Sequence, residues 1–139
     1  MATTSGYSGT LLAKKLGIKA GHVIRLINEP AHYFELFDDF PLEVTVTDTV
    51  KRPKNLIHMF TKEEKELKML LPKLKKEILS DGCIWVSWPK KASKVPTDVT
   101  EDVVRDLALS IGLVDVKVCA VDAIWSGLKL VIPVKDRQK

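Results

Sequence analysis

Apolar residues recur along this chain in short runs broken by proline, glycine and polar stretches, and the spacing within the runs switches between helical and strand-like. Leu11 to Leu16 reads as a short helix, capped by Ser8 or Thr10 and stopped at Gly17. Val23-Ile24-Arg25-Leu26-Ile27 reads as a buried strand. Pro30 suits the first turn of a helix, where no amide is needed; Tyr33, Phe34, Phe37 and Phe40 would form its aromatic face, and Pro41 would end it. Leu42 to Thr47 alternates and predicts a second strand, and Leu56 to Phe60 predicts a third. Thr61 and Glu64 form a capping box ahead of a helix with the stripe Leu67, Leu70, Leu71, Leu74 and Ile78. Pro72 within it predicts a kink or two consecutive helices.

Asp81-Gly82 predicts a turn before the strand Cys83 to Trp88, in which Trp85 and Trp88 point to opposite faces. Pro89 to Asp98 is a lysine-bearing loop. Asp98 or Thr100 caps a helix over 101–110, closed by Gly112. Val114 to Val118 alternates, and Leu128, Leu130, Ile132 and Val134 alternate in a last strand, with Trp125-Ser126-Gly127 at or near its start. Strands alternating with helices predict a three-layer, Rossmann-like α/β domain. It would span residues 1–139, with a mostly parallel sheet, a C-terminal antiparallel β-hairpin and a loose arm at 1–8.

Composition adds limits. With 139 residues, 45% hydrophobic and 29% charged, the chain can bury one core without metal or disulfide staples. The opening residues lack a positive run followed by an apolar stretch, so no secretory signal is expected, and no run is long enough to span a bilayer. Cys83 and Cys119 each lie inside an apolar strand and read as buried thiols; a cytoplasmic location follows. The net charge of +4 is spread along the chain, a weak argument for a nucleic-acid partner.

Asn55 to Phe60, the leucine-striped helix, Asp81 to Val86 and the terminal β-β pair resemble the second half of a Rossmann-type methyltransferase over roughly the last two-thirds of the chain. Such enzymes place a glycine-rich turn after the first strand, and dinucleotide sites use glycine for the same close backbone approach. Here the strand runs into Asn28-Glu29-Pro30-Ala31-His32, with no glycine between Gly21 and Gly82, so no cofactor and no cofactor-binding residue is assigned. The stretches Gly6 to Thr10, Leu12 to Ile18, Trp85 to Lys91, Thr100 to Arg105 and Trp125 to Lys129 together resemble a small bacterial domain-of-unknown-function family, nearly end to end. That resemblance implies a bacterial, cytoplasmic protein and brings no activity with it.

Ligands of open α/β sheets sit at the carboxyl ends of the parallel strands. The expected rim residues are Asn28, Glu29 and Asp48 after the first two strands, and Lys90, Lys91 and Ser93 after the tryptophan strand. Asp122, Trp125, Ser126 and Lys129 come from the final pair. Lys90 and Lys91 suit an anion, against the plainer reading of a solvated loop. Trp125-Ser126-Gly127 could stack on a ligand, against the plainer reading of a turn with a packed indole. His22, His32 and His58 lack metal-ligand spacing, no Gly-x-Ser-x-Gly elbow occurs, and Glu101 and Asp102 read as first-turn helix acids.

The leading expectation is a non-catalytic module binding a small anionic ligand or a protein partner, with no membrane role. The alternatives are a divergent S-adenosylmethionine-dependent methyltransferase and, least favoured by the mixed charge, a nucleic-acid accessory protein bearing Lys14, Lys15, Lys90, Lys91 and Lys94.

Overall fold

Strand-length apolar runs pair side by side in the computed structural model, which describes residues 11–137. The strands are β1 (Val23–Ile27), β2 (Thr45–Val46), β3 (Lys54–Phe60), β4 (Ile78–Pro89), β5 (Val114–Ala120) and β6 (Trp125–Val131). They form one sheet in the order β2-β1-β3-β4-β6-β5. The β1–β2, β1–β3 and β3–β4 pairs are parallel, and β6 runs antiparallel to both β4 and β5. The fold is the expected mostly parallel α/β sheet with antiparallel C-terminal strands. From β1 the chain moves outward to β2 and then crosses back over β1 to β3. That reversal creates a topological switch point at the carboxyl ends of β1 and β3.

Alternation along the central strands divides the core between the two sheet faces. Ile57, Met59, Ile84, Val86 and Trp88 pack with the helices α2 (Glu64–Lys75) and α3 (Glu101–Ser110). Leu56, Phe60, Cys83 and Trp85 pack with α1 (Leu12–Leu16) and the aromatic loop after β1. Trp85 and Trp88 therefore lie in opposite cores, as their spacing requires. Trp85 also donates its indole N–H to the Leu16 carbonyl at 2.8 Å, which pins α1 to the sheet. Cys83 and Cys119 are buried free thiols.

Several local expectations are corrected. The segment from Pro30 to Pro41 contains a single 3-10 turn, Tyr33–Leu36, where a helix was expected. Its rings interlock with one another and with the sheet: Tyr33 meets Phe34, Phe37 and Phe60 at centroid distances of 5.3, 5.2 and 5.7 Å. Asp39 is drawn away to cap α1, accepting from the Ala13 and Lys14 amides. The second strand shrinks to two exposed residues because Glu43 adopts a left-handed φ of 64°, which breaks the extended run.

Helix α2 starts at Glu64 with Glu63 at its N-cap, so Thr61 and Glu64 form no capping box, and the Thr61 hydroxyl donates to Glu66 instead. Asp98 accepts from the Glu64 amide at 2.7 Å, so it serves α2, and Thr100 caps α3 through the Val103 amide. Pro72 lies inside a continuous α2 because Leu67, Leu71 and Leu74 anchor that helix in the core. The carbonyl that Pro72 leaves unpaired belongs to Lys68, an exposed residue within reach of water. Ile78 opens β4 instead of closing the helix, and Asp81-Gly82 is absorbed into that strand where the β3–β4 register shifts. The last strand ends at Val131, and Val134 sits in a 3-10 turn. The Ser8 or Thr10 cap, the loose arm and the Gly6 to Thr10 stretch lie outside the described residues.

Gly82 carries the tightest backbone approach in the sheet. A Cβ there would lie 2.9 Å from the Lys54 carbonyl oxygen, 3.0 Å from that of Asn55 and 3.1 Å from that of Leu79. All three obstacles are main chain, so β3 and β4 would have to separate. Gly82→Ala should lower the unfolding free energy by about 2–3 kcal/mol, read from the urea midpoint; an unchanged midpoint would refute the close approach.

Candidate functional site

A cleft of about 530 Å³ opens at the switch point. Asn28, the first residue beyond β1, sits at a φ of 58°, a conformation that asparagine tolerates better than most side chains. Its amide nitrogen donates to the Phe60 carbonyl and to Glu66 Oε2, each at 3.1 Å, tying the end of β1 to the end of β3. Thr61, which is buried, donates its hydroxyl to Glu66 Oε1 at 2.7 Å. Each oxygen of the half-buried Glu66 carboxylate thus accepts one neutral donor, and the first turn of α2 favours its charge. Phe60 and Trp125 form the apolar wall, edge to face with ring centroids 5.0 Å apart. Pro30, Lys62 and Glu63 complete the lining.

On the other side of β1 lies a depression of about 350 Å³, lined by Leu26, Glu29, Val46, Thr47 and Asp48. Among the described residues that line the two hollows, Glu29, Asp48, Glu63 and Glu66 are accompanied by one cation, Lys62. The carboxyl edge around the switch point is acidic, and the lysines Lys90 and Lys91 suggested for an anion lie outside both hollows.

Behind the aromatic wall runs a buried polar chain. The Tyr33 hydroxyl lies 3.0 Å from His58 Nδ1, and His58 Nε2 lies 2.8 Å from the Ser87 hydroxyl. Tyr33, His58 and Ser87 are all buried. Burial pushes the His58 pKa down to about 3, so the ring is neutral at physiological pH, donating on one nitrogen and accepting on the other. Burial also raises the Tyr33 hydroxyl well above its ordinary range, with the Glu29 charge adding to the effect. The His58 ring stacks on Phe60 at 4.3 Å with an interplanar angle of 23°. Gly127 is the neighbour that permits this arrangement, because a Cβ on it would lie 2.9 Å from the Ser87 hydroxyl oxygen and 3.2 Å from the Trp85 ring.

The structure separates the residues expected at the rim. Asn28 and Trp125 line the cleft, and Glu29 and Asp48 line the smaller depression. Asp122 accepts from the Ile124 and Trp125 amides at 2.8 Å, shaping the turn that presents Trp125, and its other oxygen lies 3.3 Å from His32 Nε2. The Lys90 amide donates to the Ile124 carbonyl, and Ser93 donates to the Lys90 carbonyl at 2.7 Å, closing a local turn in which Lys91 is exposed. Those three residues line neither hollow. Ser126 sits in β6 opposite Trp88 and Ala120. Lys129 lies farther along β6, opposite Trp85 and Lys117 and away from the rim. Glu101 and Asp102 are both tied to Arg105 on their own helix.

Sequence reasoning passed over Phe60, Thr61, Lys62, Glu63 and Glu66. The available signal was the carboxyl end of β3, which lies on the same edge as that of β1 in any parallel arrangement. Among the described residues, no group of three or more His, Cys, Asp and Glu side chains is placed to hold a metal ion, and no helix is long and apolar enough to cross a membrane.

No protein-family model matches the sequence, and no curated protein matches it. Solved structures do match the fold. A S-adenosylmethionine-dependent methyltransferase from Aquifex aeolicus superposes with a TM-score of 0.63 at 15% identity, covering 86% of this chain and 87% of that one. The ribosomal protein L11 methylase of Lactobacillus delbrueckii subsp. bulgaricus gives 0.56 at 10% identity, over 86% of this chain and 73% of that one. Magnesium protoporphyrin IX methyltransferase from Synechocystis, solved with bound S-adenosylmethionine, gives 0.56 at 8% identity over 82% and 71%. At these identities the likeness shows a Rossmann-like, methyltransferase-type fold.

Proposed function

We propose that this chain is a divergent S-adenosylmethionine-dependent methyltransferase whose cofactor lies across the carboxyl end of β1. The observation that carries this reading is the coincidence of an acidic, aromatic-walled cleft with the switch point of a methyltransferase-type sheet. S-adenosylmethionine carries a sulfonium and an ammonium group, so Glu63 and Glu66 suit it better than they would suit an anion. Asp48, at the end of β2, suits ribose hydroxyls, the role an acid takes about 20 residues beyond the first strand in dinucleotide folds. Phe60 and Trp125 offer adenine an apolar wall. Asn28 takes the left-handed conformation that a glycine would otherwise supply at the strand end. When bound, the cofactor would supply an electrophilic methyl group. The chain's own residues would orient it by charge and exclude water from one side.

The test is calorimetric titration with S-adenosylmethionine and S-adenosylhomocysteine, backed by thermal shift. A ligand at about 100 times its dissociation constant adds about 2.7 kcal/mol, a shift of several degrees for a domain of this size. Trp125→Phe should weaken binding by about five- to tenfold, and Lys90→Ala with Lys91→Ala should leave it unchanged. Absence of binding at millimolar ligand would end the reading.

A second reading, a binding module without catalysis, is favoured by one observation. Pro30 lines the cleft in the turn where glycine would let the main chain approach a ligand. Binding of the adenosyl compounds with no methyl transfer to small amines, peptides or RNA would support it.

A further inference from the structure

We propose that Tyr33, His58 and Ser87 are positioning residues that set the aromatic wall of the cleft. This deepens the adenosyl-ligand reading and rests on it only for its affinity readout. The geometry is continuous from the core to the wall. Ser87 and Tyr33 hold the two ring nitrogens of His58 at 2.8 and 3.0 Å, which fixes the ring plane. Phe60 lies flat against that plane at 4.3 Å, and Trp125 meets Phe60 edge-on at 5.0 Å. Phe60 and Trp125 line the cleft, whereas Tyr33, His58 and Ser87 do not.

Apolar packing alone gives no reason for a polar chain at this depth. A leucine or phenylalanine at position 58 would fill the space without requiring two hydroxyl partners, and a buried polar group left half-satisfied is costly. What a hydrogen-bonded imidazole adds is a single ring orientation, and a stacked neighbour inherits it. Gly127 belongs to the same device. Any side chain there would meet the Ser87 hydroxyl and turn it away from His58. The Trp125-Ser126-Gly127 stretch thus contributes at both ends, its indole forming the wall and its glycine leaving room for the support.

The main variant is Tyr33→Phe, which removes one hydroxyl and keeps every ring contact; Ser87→Ala is its counterpart at the other nitrogen, and both should fold. The readout is fluorine NMR of fluorotryptophan-labelled protein, with the three indole resonances assigned through single Trp→Phe variants. In Tyr33→Phe the Trp125 resonance should move or broaden, although the deleted hydroxyl lies beyond Phe60 from it, while the Trp88 resonance in the opposite core stays in place. Affinity for S-adenosylhomocysteine should fall by about three- to tenfold in both variants. A loss of stability with an unmoved Trp125 resonance and unchanged affinity would show the chain to be a core hydrogen-bond network only, and would overturn the proposal. If the parent protein binds no S-adenosylhomocysteine, the ligand reading fails by itself and the Trp125 resonance alone decides the positioning role.

Discussion

Glu77→Ala should lower the unfolding free energy by about 3–5 kcal/mol. Glu77 precedes β4 and is only 6% exposed. It accepts from Lys54 Nζ at 2.8 Å and from Arg25 Nη1 at 2.7 and 2.9 Å. Lys54 is fully buried at the start of β3, and among the described residues its other acceptor is the Thr49 carbonyl. Deleting the carboxylate leaves an ammonium in dry surroundings with no counter-charge. Arg25 is partly open to water and loses less. The double variant Lys54→Met with Glu77→Leu should recover most of the loss, because removing both charges removes the desolvation cost of each. Urea unfolding of the parent, the single and the double variants measures both effects. A single variant within about 1 kcal/mol of the parent would mean that the pair is more hydrated than its burial indicates.

Stability should also fall steeply as pH drops below neutral, with His58 as a principal source. Burial holds its folded pKa near 3, against an ordinary value of 6.5. The group is a base whose folded pKa is depressed. Between those two values the unfolded chain binds a proton that the folded chain does not, so stability rises with pH across that window. The contribution is complete above about pH 7 and is lost as pH falls through 6.5 toward 3. At about 1.4 kcal/mol per pH unit the full contribution is on the order of several kcal/mol. Urea midpoints measured from pH 8 down to pH 4 should show a slope that His58→Gln flattens. Parallel slopes for parent and variant would assign the acid sensitivity to other groups.

The candidate site was half legible in the sequence, and the reason lies in chain separation. Asn28 could be placed at the rim because it follows a strand of five unambiguous apolar-pattern residues. Its partners Phe60 and Glu66 lie 32 and 38 residues away, and the asparagine–carbonyl–carboxylate contact exists only once β1 and β3 are paired. Lys90, Lys91 and Ser93 look conspicuous as a run, but Ser93 spends its hydroxyl on the Lys90 carbonyl and the loop closes on itself. His58 looked like an ordinary strand histidine. Nothing local announces that Tyr33 and Ser87, from different elements, take its two nitrogens.

By itself the sequence determined the alternation of strands and helices, the opposite facing of Trp85 and Trp88 and the burial of both thiols, because each follows from a local period of apolar side chains. It also determined α3, where a cap residue and an apolar stripe agree within ten residues. Tertiary structure decided the rest. It turned the aromatic run at Tyr33 to Phe40 into a ring cluster because those rings gain more on the sheet than along a helix. It inserted β6 between β4 and β5, and it made the switch-point edge acidic by folding Glu63 and Glu66 around one hollow and Glu29 and Asp48 around another on the far side of β1. Those outcomes depend on contacts between residues tens of positions apart, and no local pattern encodes them.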